Sequence, residues 1–254
     1  MNHLTKEEQQ KFWNSKAAVF PRFEEGENNY EAKMLNNIRN LGVDFKDRTL
    51  LDVGCGSGMY TIRLAREAQK VTASDISETM LDILMMDAES LGISNIIPVL
   101  SDWKDFHSDE RFDIVFCSMT PAAHSDSARQ KLTDYSRGQI IYMGFGGVME
   151  SDVLNALYPV FGISQREFND AARMKEWLTK NGYAFRSKTV DGEWLTMRTE
   201  DELVHNSHAM LSTYRIDPDR ETIRKHIGVF SDGKGKFTDK VKYRIEVIVW
   251  ENQN

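Results

Sequence analysis

The 254-residue sequence has no run of eighteen apolar residues, which argues against a membrane-spanning helix. It is poor in cysteine. Cys55 and Cys117 are its two cysteines, and neither stands in a C-x-x-C spacing that would support a zinc site or a redox pair. It also lacks an excess of positive charge: 32 Lys and Arg face 39 Asp and Glu, a net charge of −7. A nucleic-acid surface needs clustered cations to release condensed counterions, so DNA or RNA is disfavoured as a partner. The local basic clusters, Arg220 to Lys225 and Lys234 to Arg244, are interleaved with acidic residues or form the polar side of an amphipathic element. The opening Met-Asn-His-Leu-Thr-Lys-Glu-Glu is polar and unlike a secretory or transit peptide, which makes the cytoplasm the expected compartment. Internal repeats and low-complexity tracts are missing too. What remains is 41% hydrophobic and 28% charged, ordinary for a globular chain long enough for one large α/β domain with a modest cap.

The most informative stretch is Thr49-Leu-Leu-Asp-Val-Gly-Cys-Gly-Ser-Gly-Met-Tyr60. A short apolar run fit for a buried parallel strand leads into three glycines at alternate positions, Gly54, Gly56 and Gly58, and then into a helix-like stretch. Such a turn is expected to leave backbone N–H groups bare for a close-lying ligand. The dinucleotide fingerprint G-x-G-x-x-G/A would place its third small residue on Met59, so a nicotinamide reductase is disfavoured. The observed pattern from Asp52 to Gly58 is D-x-G-x-G-x-G. It resembles motif I of the class I S-adenosylmethionine-dependent methyltransferases.

Three further elements carry the same resemblance. A second apolar run ends in Asp75, about twenty residues after the glycines, where an acid can accept hydrogen bonds from both ribose hydroxyls of a nucleoside. A third run, Ile96 to Leu100, precedes Asp102-Trp103, and a fourth, Phe112-Asp-Ile-Val-Phe-Cys-Ser-Met, matches the family's fourth strand. The glycines alone would also suit a tight turn that binds nothing; Asp75 and Asp102 in these places argue against that. The resemblance implies S-adenosylmethionine as cofactor, S-adenosylhomocysteine as product, and a cofactor site built from Asp52, Gly54, Cys55, Gly56, Gly58, Asp75, Ile76, Asp102, Trp103 and Ser118. The implied fold is α/β and Rossmann-like: a seven-stranded, mostly parallel sheet with helices on both faces, an N-terminal helical segment, and a helical insertion before the last strand.

Patterning along the chain agrees. Thr5 and Glu8 form a capping box for a helix over 5–16, and Met34, Leu35, Ile38 and Leu41 stripe a second over 30–41. Strands are predicted near 49–53, 70–74, 96–100, 113–118 and 139–145, with helices near 59–68, 77–91 and 126–137. Beyond these come a helix at 165–180, a strand at 183–190, helices at 200–214 and 218–227 (Asp217 as cap), and an alternating strand at 241–249. This divides the chain into a helical lid over 1–47 and a main domain over 48–254, with a substrate-cap insertion at about 191–236.

The acceptor side is less defined. His124, six residues past the fourth strand, is the candidate general base, since histidine titrates near neutrality; an exposed loop histidine is the competing reading. Trp13, Phe20, Tyr30, Tyr142 and Trp194 are candidates to enclose the substrate, with ordinary packing the alternative for each, and Glu150 is a weaker candidate. His205 and His208 could share a helix face but lack a third ligand, so no metal is expected. The expected activity is methyl transfer to a small molecule. A protein or tRNA methyltransferase, and a non-catalytic binder of the same cofactor pair, stay open. The Asn-Pro-Pro-aromatic signature of amino-directed DNA methyltransferases is missing, and Ser118-Met-Thr-Pro-Ala stands in its place.

Overall fold

Apolar runs become strands and capped amphipathic stretches become helices in the computed structural model, which describes residues 5–147 and 149–253. The first four residues of the polar N-terminal octet therefore lie outside the described residues. The chain divides into two compact units, one formed by Met1–Gly144, Ala172–Lys188 and Val247–Asn254, the other by Phe145–Ala171 and Thr189–Glu246.

The first unit opens with α1 (Lys6–Ala17) and α2 (Tyr30–Asn40). There follow β1 (Thr49–Val53), α3 (Thr61–Ala65), β2 (Lys70–Asp75), α4 (Glu78–Ser90), β3 (Ile96–Leu100), β4 (Phe112–Ser118), α5 (Asp126–Asp134) and β5 (Ser136–Phe145). Strand order is β3-β2-β1-β4-β5, all parallel. Leu50, Leu51 and Val53 of the central β1 are at most 1% exposed, as expected of a strand covered on both faces, which reads as a continuous apolar run. The capping box at Thr5 and Glu8 forms, and Ser77 caps α4 through the Met80 amide. Register aligns Val53 with Ser74 and Cys117, Asp75 with Leu100, and Ser118 with Met143, so the carboxyl ends of the strands share one edge. At the opposite edge Asp113 accepts from the Thr49 amide and hydroxyl, both 2.9 Å, and from Arg137 Nε at 2.7 Å. The Arg137 guanidinium holds that carboxyl well below the usual range.

The last strands are β7 (Phe185–Arg198) and β8 (Phe237–Glu251), and β8 runs beside both β5 and β7. Asn252 N bonds Gly138 O and Gly146 N bonds Arg244 O, the spacing of an antiparallel β5–β8 pair. The second unit has its own apolar cluster, in which Leu157, Leu211, Ile223 and Ile227 are fully buried. It holds β6 (Glu150–Ser151), α6 (Asp152–Leu157), α8 (Glu200–Ser212) and α9 (Arg220–Ile227), and between α6 and β7 the chain forms α7 (Asp170–Lys180), shorter than the helix expected over 165–180. The buried Asp239 carboxylate fastens this unit by accepting from Ser151 Oγ and the Val153 amide.

The seven expected strands are present, and two-residue β6 adds an eighth. Other differences have local causes. The strand expected at 183–190 continues to Arg198, because Asp191, Glu193 and Trp194 find cross-strand partners in Arg244, Lys240 and Tyr243. The region beyond 190 is therefore strand before it is helix. The helix expected at 59–68 is regular only over 61–65. Asp219, not Asp217, caps α9 through the Thr222 amide, while Asp217 lies 3.4 Å from His208 Nε2.

Gly58 shows how tightly the glycine turn is packed. Its φ is +89°, and a Cβ there would overlap the Leu84 side chain of α4. Gly58→Ala combines a left-handed backbone penalty with overpacking and is expected to cost about 2–4 kcal/mol. Urea unfolding measures this, and a loss below about 0.5 kcal/mol, the size of an ordinary surface substitution, would contradict the packing described.

Candidate functional site

The order β3-β2-β1-β4-β5 reverses winding between β1 and β4, and such a reversal opens a crevice at the carboxyl edge. The glycine turn lines it. Gly54, Gly56 and Gly58 all have positive φ, and a Cβ on Gly54 would collide with the Thr120 side chain. Several of the turn's amides are engaged within the protein, where the sequence led us to expect bare ones. Gly54 N and Cys55 N both donate to Ser74 O, at 2.8 and 3.1 Å, and Gly58 N donates to Cys55 O at 3.1 Å. The cause is tertiary: the parallel register of β1 on β2 continues one step into the turn.

Asp75 joins the turn to the next helix. Its Oδ2 accepts from Gly56 N at 2.9 Å and its Oδ1 from Ser77 N at 2.8 Å. Burial pushes its pKa up, against the pull of these backbone bonds. Each oxygen keeps a further lone pair. Asp52, 3% exposed, sits behind the turn and accepts from Thr61 Oγ1 at 2.6 Å. Burial raises its pKa to about 7, with a smaller push from Asp75. Burial likewise raises the pKa of the Cys55 and Cys117 thiols, and both cysteines are unbridged.

The N-terminal segment is strapped to the same turn. Ser57 Oγ donates to Pro21 O at 2.5 Å, and Arg63 Nη2 to the carbonyls of Glu24 and Gly26 at 2.7 and 2.9 Å. The Phe23 ring has the guanidinium groups of Arg63 and Arg66 at 5.3 and 5.1 Å. Phe20 lies against Gly56, where a Cβ would stand 3.3 Å from its ring, and Trp13 packs edge-on to Phe20. Asn14 of α1 accepts from Ser77 Oγ at 2.6 Å. Trp13 and Phe20 are thus brought beside the turn.

Residues 50–137 match the family model described as a methyltransferase domain. Over these residues the chain is similar to a methyltransferase domain. Within curated relatives it is 37% identical over 91 residues to a release factor glutamine methyltransferase of Rhodopirellula baltica, covering 34% of this chain and 30% of that one. It is 31% identical over 98 residues to a ubiquinone biosynthesis O-methyltransferase of Shewanella pealeana, covering 34% and 41%. The chain thus spans less than half the length of these relatives. Its fold is similar to that of a magnesium protoporphyrin IX methyltransferase from Synechocystis solved with bound SAH, with a TM-score of 0.55 and 16% identity over 94% of this chain and 98% of that one.

The other expected site residues are distributed unevenly. Half-buried Ile76 follows Asp75 at the edge. Asp102 is held by its neighbour, with Oδ1 3.1 Å from Lys104 N and Oδ2 3.2 Å from Lys104 Nζ. The Trp103 side chain belongs to the core, 6% exposed, donating to Ala128 O at 3.2 Å and stacked on Phe106. Ser118 ends β4, and its Oγ is buried without a hydrogen-bond partner. Met119 then turns the chain with a φ of +52°, an uncommon conformation for a residue with a side chain. His124 is exposed on the following turn, and its carbonyl accepts from Arg129. Tyr142 is buried in β5, and Tyr30 starts α2. Trp194 and Glu150 belong to the second unit, where Trp194 packs on Tyr243. His208 has Asp217 at 3.4 Å, and among the described residues no cluster suits a metal ion. Sequence reasoning missed Thr120, which covers Gly54, and the strap residues Ser57 and Arg63. Only Ser57, inside the glycine motif, carried any local signal.

Asp52 gives a pH test. Its folded pKa lies above the unfolded value near 3.8, so the native state holds the extra proton. The stability it contributes is complete below the unfolded pKa and is lost as pH rises through about 7. Asp52→Asn has no such proton to lose and should gain stability relative to wild type, by an amount on the order of a few kcal/mol, between about pH 5 and 8. Denaturant unfolding at both pH values checks this, and a difference independent of pH would refute it.

Proposed function

We propose that the crevice binds S-adenosylmethionine and that the protein passes its methyl group to a small-molecule acceptor, leaving S-adenosylhomocysteine. The observation that carries this reading is the Asp75 carboxylate, held by two backbone amides at the end of β2 with lone pairs to spare for two ribose hydroxyls. Further support comes from the Ser118 hydroxyl, a buried group lacking a partner at the same edge. In this reading Ile76 flanks the adenine and Asp102 accepts from its amine. Trp103, with its ring committed to the core, contributes its main chain. Gly54, Cys55, Gly56 and Gly58 let the methionine portion lie close, and Ser118 and Asp52 serve its ammonium end.

When bound, the sulfonium supplies an electrophilic methyl group. The chain's own residues then have positioning to do, because in-line displacement gains chiefly from alignment and from exclusion of water. The strap at Phe20 to Gly26, with Trp13 and Phe20 beside the turn, is the segment placed to shield a bound cofactor from water. His124, on the turn past β4, is the candidate to take a proton from the acceptor. Tyr30, Tyr142 and Trp194 stay as proposed acceptor contacts. A small molecule is favoured over tRNA by the net charge of −7, and relatives named for ubiquinone biosynthesis are consistent with it. Among the described residues no helix is long and apolar enough to cross a membrane, and we place the protein in the cytoplasm.

Asp75→Ala should weaken S-adenosylhomocysteine binding by tens of fold or more, on the order of two charge-assisted hydrogen bonds. Calorimetry giving an unchanged Kd would overturn the assignment. In a metabolite screen with isotopically labelled methyl donor, His124→Ala should slow labelling without altering S-adenosylhomocysteine affinity. Equal rates for both proteins across roughly pH 6–9 would remove His124 from the mechanism.

A further inference from the structure

Arg129 lies in the first turn of α5 and is 7% exposed. A guanidinium taken out of water needs its charge and its five N–H groups matched. Here Nη1 donates to Asp126 Oδ1 at 2.8 Å and Nη2 to the His124 carbonyl at 3.3 Å. Nε, itself shut off from solvent, has no partner. The Asp126 side chain is 67% exposed and engages through one oxygen, whereas strong arginine–carboxylate pairs use both. An exposed acid three residues away on a helix compensates little of a buried charge.

The position of this group is informative. Through the His124 carbonyl it is tied to the turn that follows β4, at the edge carrying the glycine loop and Ser118. Ser125 caps α5 at the same end, so the positive end of the helix lies there too. The geometry points to Arg129 as the anchor of an oxyanion, a carboxylate or a phosphate, borne by the methyl acceptor, with the Asp126 carboxylate covering the guanidinium until that oxyanion displaces it. The inference rests on the methyl-transfer reading and narrows its substrate class to anionic small molecules.

The test reads Arg129 directly. The arginine Nε–Hε signals of ¹⁵N-labelled protein are followed during titration with sodium acetate, sodium phosphate, and sodium chloride at matched ionic strength, with and without S-adenosylhomocysteine. The Arg129 signal is assigned by its disappearance in Arg129→Lys. It should shift saturably with acetate or phosphate and not with chloride, and the tighter of the two names the group. Asp126→Asn, a change at an exposed position, should tighten that binding about two- to fivefold, the worth of an exposed ion pair. A signal that ignores both oxyanions, or follows chloride equally, overturns the anchor, as does an unchanged affinity in Asp126→Asn. Calorimetry with S-adenosylhomocysteine on the same sample separates the two levels. Absence of cofactor binding tells against methyl transfer, whereas normal cofactor binding with an unmoved Arg129 signal removes the anchor alone.

Discussion

The Asp75 carboxylate is the constraint on which the crevice depends. One oxygen fixes Gly56 in the glycine turn, and the other fixes Ser77 at the head of α4. A buried carboxylate is costly without such donors, and here burial raises its pKa in spite of them. The group is therefore placed where a ligand offering two further hydroxyl donors would relieve the cost. Ser77 in turn bonds Asn14 of α1, so the same junction sets where the N-terminal helix rests. The shape of the turn and, through Ser77, the docking of α1 both depend on this side chain.

A second carboxyl works differently. Asp52 lies deeper, with one hydroxyl partner and a pKa raised to about 7. A nearby ammonium would favour its ionised form, so it can respond to a cationic ligand in a way that the better-solvated acids of the surface cannot. Gly54 and Gly56 complete the surface. The Thr120 side chain occupies the space that a side chain at Gly54 would need, and the Phe20 ring crowds that at Gly56.

What was legible in the sequence is what local chemistry dictates. Alternate glycines mark positive φ, the apolar runs mark buried strands, and Thr5, Ser77 and Asp75 stand where caps and strand ends require them. What was hidden depends on partners far along the chain. The Ser74 carbonyl consumes the Gly54 and Cys55 amides because of strand register, which the turn's own residues do not encode. Trp103, adjacent to Asp102, turns into the core because Ala128 and Phe106 await it there. The prolongation of β7 to Arg198 follows from ion pairs with β8 about fifty residues later. Nothing in the residues around Arg129 sets it apart, and its burial and unmatched Nε arise only from the tertiary fold.

In the function proposed, Asp75 receives the ribose of a nucleoside whose amino-acid tail follows the glycine turn. The most direct measurement is a crystal structure of the protein with S-adenosylhomocysteine. Both ribose hydroxyls are expected on the Asp75 carboxylate while Gly56 and Ser77 keep their bonds to it. A nucleoside bound elsewhere, or a crevice filled by the protein's own side chains in the presence of saturating ligand, would contradict it.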